Sequence, residues 1–205
     1  MLQKAGYARG SEPVLKIFFY LELLEKWNRR INLTSSTQSE TIWVLLGEAV
    51  WAAGLYPAGS SYHLDIGSGA GFPALIMRVL NQRMKLDLVE SRGKKAVFLE
   101  TVIQELGLIE TQVFNTRLQN YLKICSRDSW DCISWKGVKL SDDDLSLLAQ
   151  LSKVDTQFWL FHGEQLPLEK PDEVGRWLQF LRRKDFPGKR GWHISIYNPA
   201  PTCFT

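Results

Sequence analysis

A glycine-rich stretch at residues 65–73 contains the residue types that hold a nucleotide. It follows the apolar, β-prone run Tyr62–Ile66 and precedes a segment with helical spacing. Glycine lets the backbone turn tightly and approach a ligand closely, and a helix N-terminus favours nearby negative groups. Glu90 ends the next apolar run, where a carboxylate can accept hydrogen bonds from ribose hydroxyls. This order of strand, glycine turn, helix, strand and acid predicts a nucleotide site.

The spacing of the glycines distinguishes between nucleotides. Gly67, Gly69 and Gly71 follow the pattern G-x-G-x-G, and Phe72 occupies the position of the third glycine in the dinucleotide fingerprint. A bulky residue beside the turn suits a ligand without a pyrophosphate, so S-adenosylmethionine (SAM) is favoured over NAD. The P-loop pattern G-x-x-x-x-G-K-S/T does not occur. A glycine-rich turn that binds no ligand is the remaining alternative.

Composition limits the class of protein. The chain has 205 residues, of which 45% are hydrophobic, and a formal net charge of +3. This length suffices for one compact unit with a full core, which we divide into an N-terminal helical extension, 1–57, and a SAM-binding domain, 58–205. The mild positive charge permits a nucleic-acid partner without requiring one.

The cysteines and the apolar runs indicate the cellular compartment of the protein and whether it binds a metal or a membrane. The three cysteines lack metal-ligand spacing and predict reduced thiols in a cytosolic protein without a metal. The sequence has neither a signal-peptide core nor an apolar run long enough to span a bilayer. We therefore expect a cytoplasmic protein with no membrane partner, and a monomer.

Periodicity predicts two helices followed by an alternating core. One helix begins after a cap at Ser11 and runs to Trp27 or Arg29, and a second spans Glu40–Ala53 and ends at Gly54. Strands and helices then alternate, which predicts a parallel sheet with helices on both faces. We expect strands near 62–66, 85–89, 111–114, 130–135 and 156–161, and helices near 72–81, 92–106, 117–124 and 142–152.

The end of the chain has a different pattern. Two strand-like runs, Val174–Leu181 and Trp192–Tyr197, flank a turn at 185–191. They predict a hairpin that closes the sheet with an antiparallel strand. A glycine turn after the first strand, combined with a terminal hairpin, is the layout of class I SAM-dependent methyltransferases. The fold prediction is therefore α/β: a Rossmann-like, mostly parallel sheet with a terminal antiparallel hairpin and an N-terminal helical extension.

The chemistry expected of such a fold constrains the acceptor. Methyl transfer from SAM is an in-line displacement in which positioning supplies much of the rate. Guanine N7 has an exposed lone pair and loses no proton, so an enzyme acting on it needs no acid–base cluster. Methylation of cytosine C5 requires a nucleophilic cysteine, usually after a proline, and no cysteine follows a proline here.

Three stretches carry motifs of one known family. Residues 27–34 match W-N-K/R-x-x-N-L-T, residues 64–73 match a SAM loop, and residues 88–99 match the pattern with S-x-x-K-K/R-x-x-F-L after an apolar strand and its acid. Together they resemble the bacterial glucose-inhibited division protein B family, the methyltransferases G of small-subunit ribosomal RNA. The resemblance covers about residues 20–165.

The resemblance implies an activity and a set of site residues. Members of that family use SAM to methylate N7 of one guanine in 16S rRNA of the small ribosomal subunit. The implied SAM contacts, the last two beside the adenine ring, are Gly67, Gly69, Phe72, Glu90, Leu118 and Gln119. Lys136 and Arg117 are the implied catalytic residues, which would orient the base or its phosphate.

The substrate-facing stretches depart from the family pattern. Residues 44–49 replace R-H-x-x-D-S and keep only the acid, as Glu48. Trp135-Lys136-Gly137 replaces S-R-A, and lysine is not equivalent to arginine at a bidentate or stacking site. Three alternatives therefore remain: a divergent member, a methyltransferase with a small-molecule acceptor, and a protein that binds SAM without turnover.

Two further features have two interpretations each. A basic cluster on the predicted hairpin either binds phosphate, which would make binding salt-sensitive, or is a solvated tip; it comprises Arg182, Arg183, Lys184, Lys189 and Arg190. Trp27 either stacks on RNA or packs into the core, with Asn28 ordering the turn that follows.

Overall fold

The computed structural model describes residues 1–34, 38–57, 59, 62–125, 130–163 and 175–204. The helices are α1 (Glu12–Asn28), α2 (Ser39–Leu55), α3 (Ala74–Leu80), α4 (Gly93–Leu106), α5 (Leu118–Ile124) and α6 (Asp142–Gln150). The strands are β1 (Tyr62–Ile66), β2 (Lys85–Val89), β3 (Thr111–Phe114), β4 (Cys132–Lys136), β5 (Gln157–His162), β6 (Leu178–Asp185) and β7 (His193–Pro199). Short 3₁₀ turns lie at Leu2–Ala5 and Pro201–Phe204.

The strands form one sheet in the order β3-β2-β1-β4-β5-β7-β6. The pairs among β1 to β5 are parallel. Strand β7 is antiparallel to both β5 and β6. The predicted parallel sheet with a terminal antiparallel hairpin is therefore confirmed. The strand order reverses at β1, which lies between β2 and β4, and such a switch point leaves a crevice at the carboxyl ends of the strands.

Most predicted boundaries lie within two residues of the observed ones, and the largest difference is in the first hairpin strand, which spans Leu178–Asp185 rather than 174–181. Helix α2 continues through Gly54 to Leu55, and the amide of Tyr56 donates to the carbonyl of Ala53. Gly54 keeps a negative φ, so its left-handed freedom is not used there, whereas Gly107 ends α4 at φ +59° as predicted. The first hairpin strand begins at Leu178, later than expected. Residue 174, its predicted start, lies outside the described residues.

The N-terminal helices pack onto the sheet domain. The buried side chains of α1 recur at helical spacing, and Ile17, Tyr20 and Leu24 belong to the same hydrophobic cluster as α3 and α4. The Tyr20 hydroxyl donates to the carbonyl of Ala70 in the glycine turn at 2.7 Å. The extension therefore supports the turn directly, and the domain division at residues 57 and 58 stays a prediction.

The helices are short relative to a bilayer. Among the described residues, none of them combines the length and the hydropathy needed to cross a membrane.

Candidate functional site

A cleft of about 980 Å³ opens at the carboxyl ends of the parallel strands. Its walls come from the N-terminal extension, the glycine turn, the segments after β2, β3 and β4, and the turn of the terminal hairpin. All eight residues predicted from the sequence line it: Gly67, Gly69, Phe72, Glu90, Arg117, Leu118, Gln119 and Lys136. The topology therefore brings together side chains that are up to about 70 positions apart in the sequence.

The glycine turn uses the conformational freedom of its glycines. Gly67 and Gly69 have φ values of +69° and +58°, a region that other residues rarely adopt. A Cβ on Gly67 would lie 2.2 Å from Cγ2 of Val138, so the turn touches the segment after β4. A Cβ on Gly69 would meet only the Gly67 carbonyl oxygen, at 3.7 Å. The turn is thus closed on one side and open toward the cleft at Gly69.

Glu90 joins the end of β2 to the glycine turn. One carboxylate oxygen accepts from the amide of Gly69 and the other from the amide of Arg92, each at 2.8 Å. The side chain is buried. A carboxylate oxygen can accept more than one hydrogen bond, so Glu90 retains acceptor capacity for hydroxyl groups of a ligand. Its role in binding stays a prediction, but its place on the cleft wall suits that role.

The segment after β3 forms the wall at one end of the cleft. Arg117 caps α5, Leu118 is buried and Gln119 is exposed. The Gln119 amide donates to Asp144 at 2.5 Å, which links α5 to α6. Asp144 also lines the cleft and forms a capping box with Ser141. Sequence reasoning missed Asp144, although the spacing of a serine and an acid three residues later is a capping signal.

A buried polar chain lies beneath the glycine turn. The Ser134 hydroxyl donates to Asp65 at 2.7 Å, and Nε2 of His63 lies 2.7 Å from the same hydroxyl oxygen. Burial raises the pKa of Asp65 to about 7, and the Ser134 hydrogen bond opposes this rise. Burial lowers the pKa of His63 to about 3, so its imidazole is neutral near pH 7. Of these three hydrogen-bonded side chains, Asp65 is therefore the one that changes its charge near neutral pH.

Lys136 ends β4 and is held from two sides. Its ammonium forms an ion pair with Glu48 of α2, and it lies 4.6 Å from the centre of the Trp192 ring. The Glu48 side chain is 1% exposed. Burial raises the pKa of this carboxyl group, and the positive charge of Lys136 opposes the rise. The sequence singled out both charges but not their contact, for which the only signal is an acid within an apolar helix.

The charge of the cleft is mainly positive. Among the residues that the structure describes, two acids line it, Glu90 and Asp144, against the six basic residues Arg92, Lys95, Arg117, Lys136, Lys139 and Lys189. Such a lining attracts polyanions. Within the described ranges, no group of three or more histidine, cysteine, aspartate or glutamate side chains is arranged to hold a metal ion.

The turn after α1 leads the chain into the cleft. The Asn28 side-chain oxygen accepts from the amides of Leu33 and Thr34, at 2.8 and 3.0 Å, and both of those residues line the cleft. The Trp27 ring packs against Phe98, with 5.7 Å between ring centres. The core interpretation of Trp27 and the turn-ordering role of Asn28 are therefore confirmed.

Two solved structures, one of a methyltransferase and one of a protein bound to S-adenosylmethionine, share this fold. A SAM-dependent methyltransferase from Aquifex aeolicus matches with a TM-score of 0.59 and 14% identity, over 76% of this chain and 91% of that one. A mutant of MtNAS in complex with S-adenosylmethionine matches with a TM-score of 0.62 and 14% identity, over 91% and 76%. The predicted class I methyltransferase fold is therefore confirmed.

Sequence comparisons identify the family. Residues 15–177 match the family model for rRNA small subunit methyltransferase G (GidB). The ribosomal RNA small subunit methyltransferase G of Desulfitobacterium hafniense is 33% identical, over 80% of this chain and 68% of the relative. That of Streptococcus equi subsp. equi is 30% identical, over 98% and 96%. The extent of these matches, together with the glycine turn and Glu90 in one cleft, shows that this chain belongs to the rRNA small subunit methyltransferase G family.

Proposed function

We propose that this protein is a SAM-dependent methyltransferase that modifies N7 of a guanine in 16S rRNA of the small ribosomal subunit. One observation carries the proposal: a single cleft combines the nucleotide-binding turn and Glu90 with a predominantly basic lining. The turn and the acid suit an adenosyl group, and the basic lining suits the phosphates of RNA. We further propose that the protein acts as a monomer in the cytoplasm, where bacterial ribosomal subunits are found.

The residues present fit SAM. The open side of Gly69 leaves room for a ligand against the backbone. Position 72 need not be the glycine of the dinucleotide fingerprint, because SAM lacks a pyrophosphate. Glu90 would accept hydrogen bonds from the ribose hydroxyls, while Leu118 and Gln119 would contact the adenine. Phe72 is 9% exposed and packs edge-on against Tyr20, with 5.3 Å between ring centres. It would therefore support the turn while contributing one apolar surface to the cleft.

The chemistry requires positioning more than proton transfer. When bound, SAM supplies an electrophilic methyl group, which passes to the N7 lone pair as the carbon–sulfur bond breaks. Lys136 is fixed in the cleft, because Glu48 and Trp192 both contact it. It would orient the guanine through a base oxygen or its phosphate, and Arg117 would bind a phosphate at the cleft rim. Guanine N7 carries no proton, so these residues need not remove one.

The two alternative functions predict different sites. A small-molecule methyltransferase would use an enclosed, mostly apolar pocket, whereas this cleft is open and, within the described part of the chain, is lined by six basic residues. The second alternative is a protein that binds SAM without turnover. The lysine at position 136, where the family has arginine, is consistent with it. Methyl-transfer assays separate these alternatives.

The direct test is methyl transfer from radiolabelled SAM to small ribosomal subunits. Subunits from a strain that lacks its own methyltransferase G supply the unmodified substrate, and subunits from the parent strain are the matched control. We expect label in rRNA of the unmodified subunits only, recovered as N7-methylguanosine after digestion. Tight SAM binding with no label in either sample would contradict the proposal, as would label on small molecules alone.

A further inference from the structure

The cleft has a second end that the proposed SAM contacts do not reach. Glu90 and residues 117–119 follow β2 and β3, on one side of the switch point. On the other side, beyond Lys136, the lining comes from Gly163 after β5 and from Lys189 and Trp192 in the hairpin turn. A cofactor held at the first end leaves the second end to the acceptor.

Trp192 is the aromatic residue at this second end. Among the described residues that line the cleft, the other aromatic one is Phe72, which is buried beneath the glycine turn. The Trp192 indole is half-buried and rests near the backbone of Gly163, where a Cβ would lie 3.6 Å from it. That spacing is an ordinary van der Waals distance, so the indole lies beside the end of β5.

Two ammonium groups lie near the Trp192 ring. Nζ of Lys136 is 4.6 Å and Nζ of Lys189 is 5.2 Å from the ring centre. The two lysines differ in how they are held. Lys136 is anchored by the buried Glu48 carboxylate, whereas Lys189 belongs to the same turn as Trp192. Lys189 is half-buried, and an ammonium that is only partly desolvated binds an aromatic face more weakly than a stacked nucleobase does.

We infer that Trp192 is the surface on which the acceptor guanine stacks, an inference that rests on the proposed function. The base takes the place of the Lys189 ammonium over the indole, and Lys189 then binds a neighbouring phosphate. Lys136 stays over the ring because Glu48 holds it, so the position that the base takes is that of Lys189. Trp192 lies in the terminal hairpin, outside residues 15–177 that match the family model.

The test compares Trp192→Leu with Trp192→Phe and a matched control, Trp177→Leu. Trp177 is also a half-buried tryptophan with a cation over its ring, Arg176 at 4.9 Å, and it does not line the cleft. We expect Trp192→Leu to lower kcat/KM for unmodified small subunits by about tenfold or more, with the Kd for SAM unchanged. Trp192→Phe should retain more activity than Trp192→Leu, and Trp177→Leu should match the wild type.

Equal activity of Trp192→Leu and Trp177→Leu would overturn the inference, as would a parallel loss of SAM affinity, which indicates a structural role. A second readout requires no turnover: the affinity for a guanine-containing single-stranded RNA in the presence of S-adenosylhomocysteine. Trp192→Leu should bind this RNA about tenfold more weakly than the wild type. If the wild type binds RNA through Trp192 but transfers no methyl group, the proposed function fails, and Trp192 is an RNA-stacking surface without an acceptor role. Unchanged RNA affinity removes the inference alone.

Discussion

Glu90 shows how one side chain can serve both the fold and the site. Its two oxygens accept from the amides of Gly69 and Arg92, so the carboxylate fixes the turn that it faces. Loss of the side chain removes both hydrogen bonds as well as any bond to a ribose.

We expect Glu90→Ala to weaken SAM binding by about 1–3 kcal/mol, the cost of losing a buried hydrogen-bond acceptor. Titration calorimetry measures the change. Glu105→Ala, which removes an exposed acid from α4, is the control and should leave the affinity unaltered. Wild-type affinity in Glu90→Ala would exclude Glu90 from the site.

Asp65 makes stability depend on pH in a defined direction. Burial raises its pKa from 3.8 to about 7, so the native state keeps a proton that the unfolded chain has already released. The native state therefore binds more protons between about pH 4 and pH 7. Over that interval the Asp65 contribution to the free energy of unfolding falls as the pH rises.

Asp65→Asn removes this contribution, because the amide oxygen can still accept from Ser134 but carries no charge. We expect the variant to gain stability relative to the wild type as the pH rises from 5 to 8, by a few kcal/mol. Urea unfolding at the two pH values measures the difference. A difference that does not vary with pH would show that Asp65 is ionised throughout. The wild-type comparison cancels the opposite trend from His63, whose pKa burial lowers to about 3.

At the scale of elements, the glycine turn is fixed by its contact with the segment after β4. Gly67 and Gly69 share a left-handed backbone but differ in their surroundings. A Cβ on Gly67 meets Val138, and one on Gly69 meets little. The two positions therefore separate backbone strain from steric overlap.

We expect Gly69→Ala to cost about 1–2 kcal/mol of stability, from the left-handed conformation alone. Gly67→Ala should cost more, by about 1–3 kcal/mol for overpacking against Val138. In a Val138→Ala background, Gly67→Ala should lose this additional cost. The measurement is the free energy of unfolding of four proteins: the wild type, each of these two single variants and the double variant. An equal cost in both backgrounds would show that Val138 is not the obstacle.

The elements themselves could mostly be predicted from the sequence. The predicted bounds of β1, β2 and β3 equal the observed ones, because short apolar runs between turn residues specify buried strands. The predicted end of α2 at Gly54 is wrong, because a glycine in the last turn of a helix can remain helical. The start of β6 was also wrong, because pairing with β7 selects the strand from a longer run of suitable residues.

The candidate site was predictable on the side where its residues lie in local motifs. Gly67, Gly69 and Glu90 follow strands, and strand order alone brings them together. The contact of Lys136 with Glu48 and Trp192 joins β4, α2 and the hairpin turn. No local pattern encodes a contact between three distant segments, so the sequence did not reveal it.

At the scale of the whole molecule, positive charge extends from the cleft along the terminal hairpin. Residues 179–185 of the edge strand β6 are exposed. Arg182 and Lys184 lie on that strand, which continues into the turn that carries Lys189. This arrangement favours the phosphate-binding interpretation of the basic cluster.

We expect Arg182→Glu with Lys184→Glu to weaken binding to small subunits and to make it less sensitive to salt. Loss of two phosphate contacts should reduce the slope of log K against log salt concentration by about 1.4. The control reverses the exposed Arg83 and Lys123, which lie outside the hairpin and do not line the cleft. Equal slopes for both double variants would identify the hairpin cluster as a solvated surface.

The central claim is that the cofactor binds at the glycine turn and Glu90. A crystal structure of the protein with S-adenosylhomocysteine tests this claim most directly. The adenosyl group is predicted to lie against the backbone of Gly69, with its ribose hydroxyls on Glu90 and its adenine beside Leu118. Binding at any other place, or a cleft without the ligand at saturating concentration, would contradict the proposed assignment of both ends of the cleft.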